Sequence, residues 1–403
     1  MIVRSLFSLL STCALLSACG ARPEMPASKL DGHFESSNAK ESNLFKGGQI
    51  IAAEYAPVQG VVISLPLLKE YGRAQMAADI LHSSVDSLWI TVPQSFSEEL
   101  DGPSFSELRS LAGQDFSKVK LVRQSVAGSL TVWARDWAPL SAKTDDGTLR
   151  LLDFNYYADR PADDATARSL LPLLPVERVS VPVYNEGGNF MSNSLGACFM
   201  TTRVTDANAS KDRNDDMILS ANDVKTYYRN FAGCKQVQIF PRMPYEGTGH
   251  IDMWAKFLND KTVLVGELRE ELFSLPMLKK NDSNQTTVLR NYLNERAKDI
   301  EDMGYTVVRV PMPAPIFRGG DVFRSYTNSL TVNGNVLVPR YVKPAYEDLG
   351  VDGEYEDAKL LASYEKEVEQ AYASQGFHVY WVESDALIAQ GGAVHCTTMQ
   401  ISR

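Results

Sequence analysis

The strongest constraint on this chain is an alternation. Short apolar runs rich in β-branched residues recur at 60–66, 88–93, 119–122, 151–154, 179–183, 262–266, 306–310, 330–332, 336–338 and 378–382. Helix patterns fall between them at 70–82, 164–174, 219–231, 286–302 and 355–375. Runs this short, bounded by turn residues and interleaved with single helices, predict a mixed α/β fold. Two hairpins are readable directly. One joins 253–258 to 263–265 across Asn259-Asp260-Lys261, and the other joins 329–332 to 336–338 across Asn333-Gly334-Asn335. Strand pairs recurring with single helices give a repeated ββαβ unit. Ser220, with Asp223 three residues on, predicts a capping box. The polar stretch 205–216 reads as a surface loop. No linker-like break interrupts residues 49–403, which are expected to form one large domain.

The N-terminus predicts export. Arg4 lies in a short basic region, Leu6 to Leu16 is apolar apart from small residues, and Leu16-Ser17-Ala18 precedes Cys19. Residues 1–18 therefore read as a lipoprotein signal, cleaved before a lipidated Cys19; an ordinary signal peptide with an incidental cysteine is the alternative. The run is shorter than the ~20 apolar residues a membrane-spanning helix needs. Residues 19–48 are rich in Ser, Ala, Lys and Glu and read as a flexible tether. The expected location is extracytoplasmic, on the membrane of a bacterial cell envelope, and Gly20 after the cysteine favours an outer membrane.

Forty Lys and Arg against 50 Asp and Glu give a formal charge of −10; loss of residues 1–18 would remove Arg4 alone and leave −11. So acidic a chain is a poor partner for nucleic acid. Of five cysteines, Cys13 leaves with the signal and Cys19 carries lipid. Cys198 sits in a strand pattern and Cys234 follows a helix pattern, so a strand–helix–strand unit can bring them together in an oxidising compartment. A disulfide is expected, two buried thiols being the alternative. No Cys or His spacing matches a zinc site.

That leaves Cys396, after Gly391-Gly392-Ala393-Val394-His395. A lone cysteine is commonly structural, but a glycine turn just before it can present a nucleophile. His250 and Asp252 are two apart, which on an extended segment puts both on one face. Asp136 follows Arg135 between Trp133 and Trp137, as a ligand carboxylate or as half of a structural ion pair. Glu186 heads Glu186-Gly187-Gly188-Asn189-Phe190, where the glycines allow positive φ or close approach. A thiol, an imidazole and several carboxylates suit nucleophilic hydrolysis of a cation.

Six ordered segments carry a resemblance. They are Ala53-Glu54-Tyr55-Ala56-Pro57-Val58-Gln59-Gly60-Val61, Arg135-Asp136-Trp137-Ala138-Pro139, Asn185-Glu186-Gly187-Gly188-Asn189, Gly249-His250-Ile251-Asp252-Met253, Ser325-Tyr326-Thr327-Asn328-Ser329 and the terminal Gly391-to-Cys396 motif. The chain resembles the agmatine deiminase and bacterial peptidylarginine deiminase family of the guanidino-group-modifying superfamily. The resemblance implies a five-bladed α/β propeller, or pentein, of ββαβ modules with pseudo-fivefold symmetry, and neither metal nor organic cofactor. It implies Cys396 as nucleophile, His250 as acid and then base, Asp136 and Asp252 as guanidinium carboxylates, Glu186 as a group that orients His250 or lines the pocket, and Asn328 and Trp133 as pocket residues. The implied reaction converts a guanidino group to a ureido group and ammonia through an S-alkylthiouronium. Ala138 stands where the family often has glycine, and the segment Ser64-Leu65-Pro66-Leu67-Leu68-Lys69 lacks the Arg-Pro-Asp-Asn-Trp-type stretch of agmatine deiminases. That departure, with export, favours peptidylarginine or arginine over agmatine, whose product would be N-carbamoylputrescine. Arg318 and Arg340 are candidates for a basic pocket mouth. A papain-like protease and a lipoprotein that binds guanidino ligands without turnover are the readings from other classes.

Overall fold

The structure is a computed structural model describing residues 48–210, 217–281, 283–317, 321–342, 356 and 358–403. The signal segment, Cys19 and Arg318 lie outside the described residues.

Seventeen strands among the described residues form five separate sheets of α/β character. β1 (Gln49–Ile51), β5 (Leu140–Thr144), β6 (Leu149–Asn155) and β7 (Glu177–Tyr184) make one sheet. β8 (Met191–Ser192), β9 (Ala197–Thr201) and β10 (Gln236–Phe240) make the second. β11 (Ala255–Phe257), β12 (Thr262–Glu267) and β13 (Thr306–Pro311) make the third. β14 (Leu330–Val332), β15 (Asn335–Arg340) and β16 (His378–Glu383) make the fourth. In the fifth, β17 (Met399–Ser402) lies beside β2 (Val58–Ser64), followed by β3 (Ser87–Val92) and β4 (Val119–Arg123).

All five sheets use one pairing rule. An antiparallel pair, β5–β6, β8–β9, β11–β12, β14–β15 or β17–β2, is followed by a parallel strand. Parallel neighbours need a crossover, and helices supply it: Thr166–Leu170, Ala221–Phe231, Ser283–Asp302, Ala358–Ala373 and Ala74–His82. In the fifth sheet the chain's last strand supplies the antiparallel partner of its second, so the two ends of the catalytic region are hydrogen-bonded together.

The central strands read as nearly continuous buried runs, as parallel strands with covered faces do. At the β14–β15 hairpin, Asn333 (φ 48°) and Gly334 (φ 82°) adopt the positive φ angles of a two-residue turn. The capping box at Ser220 forms, with reciprocal bonds to Asp223.

Three boundary expectations need correction. The strand read over 60–66 ends at Ser64, because Pro66 opens the helix Leu65–Lys69; Gly72, at φ 61°, then separates that helix from Ala74–His82. The helix read over 164–174 is two short ones, Pro161–Asp164 and Thr166–Leu170. Their junction is set by Asp163 and Asp164, whose carboxylates accept bonds from the Thr131 and Tyr156 amides, each at 3.0 Å. The stretch read as a loop from 205 begins inside the helix Arg203–Asn208. One of its polar residues points inward: buried Asn208 donates to the Tyr184 carbonyl at 2.9 Å and accepts from the Tyr184 amide at 3.0 Å.

Cys198, on β9, and Cys234, just after the helix Ala221–Phe231, are joined by a disulfide across 36 positions of sequence. It ties the second sheet to its own crossover helix.

Candidate active site

The shared pairing rule brings five loops together. Each sheet's leading antiparallel strand is preceded by a short segment carrying one part of the site. The turn Ala134–Trp137 leads to β5, Gly187–Asn189 to β8, Ile251–Met253 to β11, Thr327-Asn328 to β14 and Cys396 to β17. Residues far apart in sequence therefore meet.

Cys396 is 2% exposed and is the free cysteine among the described residues. Asn328 holds its loop. Asn328 Oδ1 accepts from the Ala393 amide at 3.1 Å and the Cys396 amide at 3.3 Å, while its Nδ2 donates to Sγ at 3.1 Å and to Asp252 Oδ2 at 3.0 Å. The thiol lies 3.5 Å from the same Asp252 oxygen. Burial pushes the thiol well above its ordinary range, and the Asp252 and Asp136 carboxylates add to this.

His250 and Asp252 do share the site, but not by lying on an extended strand. Gly249, at φ 70°, turns the chain, and a 3-10 turn over Ile251–Met253 swings Asp252 inward. His250 Nδ1 lies 3.8 Å from Asp136 Oδ1, and Nε2 lies 3.2 Å from Glu186 Oε2. The second contact is close enough for a hydrogen bond but is not aligned for one, so it is an ion-pair contact. Neither ring nitrogen has a hydrogen-bond partner among the described residues. Burial works against the His250 cation, but Asp136, Glu186 and Asp252 outweigh it and raise the imidazole from 6.5 to about 9.

Asp136 is pushed the other way, from 3.8 up to about 6, by burial and then by its acidic neighbours Glu186 and Asp252, against the pull of His250. Its Oδ1 accepts from the Gly188 amide at 3.0 Å. Glu186 is buried, yet Arg203 and His250 hold it well below the usual carboxylate range. Arg203 grips both its oxygens, at 2.6 and 2.9 Å, and the Tyr157 hydroxyl donates to it at 2.6 Å. Glu186 is thus a fixed anion behind the imidazole.

The glycines serve close approach rather than positive φ. A methyl group on Gly188 would sit 2.7 Å from His250 Nδ1, 3.0 Å from Asp136 Oδ1 and 3.1 Å from Asp252 Oδ2. Only hydrogen leaves the meeting point of these groups open. A side chain at Gly392 would strike the Trp133 ring, at 2.5 Å, and Cys396 Sγ, at 2.9 Å, which places Trp133 beside the nucleophile. Gly391 alone in this pair has positive φ, 100°.

Arg135 does not pair with Asp136. It is 2% exposed, its amide donates to the Cys396 carbonyl at 3.0 Å, and its guanidinium bonds Gln400 and lies 3.6 Å from Glu54. Arg340 is committed to Glu365 at 3.2 Å and is no free cation at a pocket mouth. The sequence reading had missed Glu54, Lys256 and His395. His395 Nδ1 lies 2.7 Å from Asp252 Oδ2 and its Nε2 lies 2.9 Å from Glu54 Oε1, while Lys256 Nζ lies 2.6 Å from Glu54 Oε2. Glu54 and His395 stood inside the quoted motifs; Lys256 followed one in an apolar strand pattern, where a buried lysine was the available signal. Among the described residues no three His, Cys, Asp or Glu side chains are arranged to hold a metal ion.

The arrangement is a thiol beside an open point ringed by two carboxylates and a cationic imidazole. Asp252 Oδ1 is buried and has no hydrogen-bond partner among the described residues, which makes it a ready acceptor for a donor-rich ligand.

Comparison with known proteins agrees with this geometry. The chain is 24% identical over 326 residues to the agmatine deiminase of Stutzerimonas stutzeri strain A1501, covering 73% of this chain and 79% of that one. The fold is similar to that of the agmatine deiminase of Enterococcus faecalis, with a TM-score of 0.65 at 17% identity over 94% of this chain and 100% of that one. It is also similar to a substrate-bound serine variant of the C. jejuni agmatine deiminase, with a TM-score of 0.65 at 16% identity over 88% and 96% of the two chains. The model of the Porphyromonas-type peptidyl-arginine deiminases matches residues 51–402. With nearly all of its described length in that match, the chain belongs to this deiminase family, hydrolases that act on C–N bonds of linear amidines.

Proposed function

We propose that the chain hydrolyses the guanidinium group of an arginine-like cation to a ureido group and ammonia through a covalent adduct on Cys396. The observation that carries this is the open point at Gly188, bounded within about 3 Å by His250, Asp136 and Asp252 and adjoined by the thiol. A guanidinium there can offer N–H groups to Asp136 and to Asp252, whose Oδ2 borders the point and whose Oδ1 has no hydrogen-bond partner among the described residues. Its charge offsets the burial and the aspartates that disfavour the thiolate, so the thiol releases its proton to solvent as substrate binds. Sulfur then adds to the guanidinium carbon. His250, cationic at neutral pH, gives a proton to the departing nitrogen, and ammonia leaves. The now neutral ring takes a proton from water as that water attacks the thiouronium carbon; the C–S bond then breaks, the hydroxyl proton passes to the departing sulfur, and the ureido product forms.

On substrate, the relatives named agmatine deiminases favour agmatine, against the preference the sequence suggested. A second reading, arginine bearing a carboxylate, is supported by Arg160. Its guanidinium bonds Tyr156 at 3.1 Å and lies 4.9 Å from the Tyr157 ring; Asp163 attracts it without a direct ion-pair contact among the described residues. Tyr157 in turn donates to Glu186. Comparing kcat/KM for agmatine, arginine and a short arginine peptide decides between them. A tenfold preference for agmatine, unaffected by Arg160→Ala, supports the first reading. Absence of ureido product from all three would sink the deiminase proposal. The five sheets with one pairing rule support a five-bladed propeller around this point, which a crystal structure would check. Export and lipidation at Cys19 complete the proposal from sequence alone; Cys19→Ser should then release the protein from membranes.

A further inference from the structure

A buried chain of charged groups lies behind the nucleophile, and no step of the proposed reaction uses it. Lys256, on β11, is 2% exposed and holds Glu54 Oε2 at 2.6 Å. Glu54 Oε1 faces His395 Nε2 at 2.9 Å, and His395 Nδ1 faces Asp252 Oδ2 at 2.7 Å. Arg135 adds a second cation 3.6 Å from Glu54. Four loops that are distant in sequence thus contribute to one chain that ends at an oxygen in contact with Sγ.

The hydrogen-bond count is decisive. An ionised carboxylate only accepts, so both ring nitrogens of His395 can bond their carboxylates only if both carry a proton. A proton could instead sit on one of the carboxyls, but Asp252 Oδ2 already accepts from Asn328 Nδ2, and Lys256 and Arg135 oppose a proton on Glu54. Burial raises the Glu54 carboxyl, and His395, Lys256 and Arg135 together bring it well below the usual range. Asp252 Oδ2 then receives donors from both His395 and Asn328, which fixes the carboxylate with Oδ2 at the open point and leaves Oδ1 without a hydrogen-bond partner among the described residues.

Resting on the deiminase reading, we propose that Lys256, Glu54 and His395 form a positioning unit: Glu54, held as an anion by Lys256, keeps His395 doubly protonated, and that ring orients Asp252 and supplies positive charge behind Cys396. The charged and titratable groups that face His395 are Asp252 and Glu54. Lys256, Arg135 and Tyr372 face Glu54, and Asp252, Asp136 and Arg135 face Cys396. None of the three residues of the unit touches the reacting atoms.

Glu54→Gln separates this from a purely structural ion cluster by the sign of one effect. The amide preserves shape but not charge, so the ring would lose its Nε2 proton and the cation nearest Asp252 would vanish. The readout is the pH dependence of Cys396 alkylation by iodoacetamide without substrate, which reports the thiolate. The unit predicts a profile displaced to higher pH, with alkylation about tenfold slower at a fixed pH below the midpoint, the factor of one pKa unit. If His395 were neutral, the variant would only remove a negative charge and the profile would move to lower pH. A downward displacement, or none, overturns the proposal. Nitrogen-15 NMR of the histidine-labelled wild-type protein is independent of the variant's folding. With His395 assigned through His395→Gln, both ring nitrogens should resonate as an imidazolium in the substrate-free protein, and a neutral ring overturns the proposal. Neither readout needs turnover, so failure of the deiminase reading would show separately, as wild-type enzyme that forms no ureido product.

Discussion

Asp136→Asn should yield a protein that is more stable in alkaline solution and a poor catalyst. Asp136 rises from 3.8 to about 6, chiefly by burial. Between those values the folded chain holds a proton that the unfolded chain has released, so stability falls as pH rises through that window. At about 1.4 kcal/mol per pKa unit, the cost above pH 6 is roughly 3 kcal/mol. Asparagine has no charge to bury, and its Oδ1 can keep the 3.0 Å bond from the Gly188 amide. His250 opposes the gain. Its pKa is raised from 6.5 to about 9 with Asp136 as the leading attractive partner, so it stabilises the fold fully below 6.5 and not at all above 9. Near neutral pH the two effects offset one another. Above about pH 9 the His250 contribution is gone and the gain from asparagine is whole. Urea unfolding should therefore show little difference near pH 4, where Asp136 is protonated in the fold and no longer attracts His250, a small one at neutrality and the largest stabilisation in alkali. Activity moves oppositely: losing a charge-assisted hydrogen bond to the guanidinium, about 1.5–3 kcal/mol, lowers kcat/KM by roughly ten- to a hundredfold. An asparagine variant that is less stable than wild type in alkali, or that turns over normally, would refute this reasoning.

Four further outcomes are expected. Cys396→Ala should abolish ureido formation with an unchanged circular dichroism spectrum; residual turnover would remove the cysteine from the chemistry. Gly188→Ala should fold but lose substrate binding, because its methyl would occupy the point 2.7 Å from His250 Nδ1; a normal KM would show that the guanidinium sits elsewhere. Glu186→Gln removes an anion that raises His250, so the alkaline limb of the kcat/KM profile, expected near 9 for wild type from the position of His250, should move towards neutrality, and an unmoved limb counts against His250 as the acid. Replacing Cys198 and Cys234 by serine opens a closure of 36 positions and should cost roughly 3–4 kcal/mol in chemical unfolding; stability equal to wild type would leave the disulfide without a thermodynamic role.

Much of this site was legible because its residues stand in short segments with unusual chemistry. Cys396, His250, Asp252, Asp136 and Glu186 could be selected from local motifs, with Asn328 and Trp133 added by the family resemblance, and the fold brings them together. The ββαβ order was legible from period and turn residues, since the hairpin at Asn333-Gly334 announces itself. What stayed hidden depends on partners distant in sequence. Arg135 and Asp136 are neighbours, so an ion pair between them was a natural reading; the backbone turn sends the arginine to Glu54 and Gln400 instead. Lys256 sits in an apolar strand pattern, and nothing local reveals that Glu54, 202 positions away, neutralises it. The helix Arg203–Asn208 was hidden for a related reason. Its polarity reads as solvent exposure, yet Asn208 spends its amide on Tyr184 inside the protein.

The charge pattern also bears on how a reaction cycle would end. Glu186 is balanced by Arg203, and Glu54 by Lys256, but no arginine or lysine forms an ion pair with Asp136 or Asp252 among the described residues. Two acids face the open point, in direct contact with histidines and attracted only at longer range by the buried Arg135 and Lys256. A guanidinium brings the missing positive charge, and both carboxylates can bond it at once. The ureido product carries no charge and offers a carbonyl oxygen where a cationic N–H stood. It would keep the shape of the substrate while losing the coulombic attraction and one donor. In a buried site, where such attraction is weakly screened, that difference favours release of product over rebinding. The same imbalance that raises Asp136 and costs the empty protein stability thus separates substrate from product by charge rather than by size.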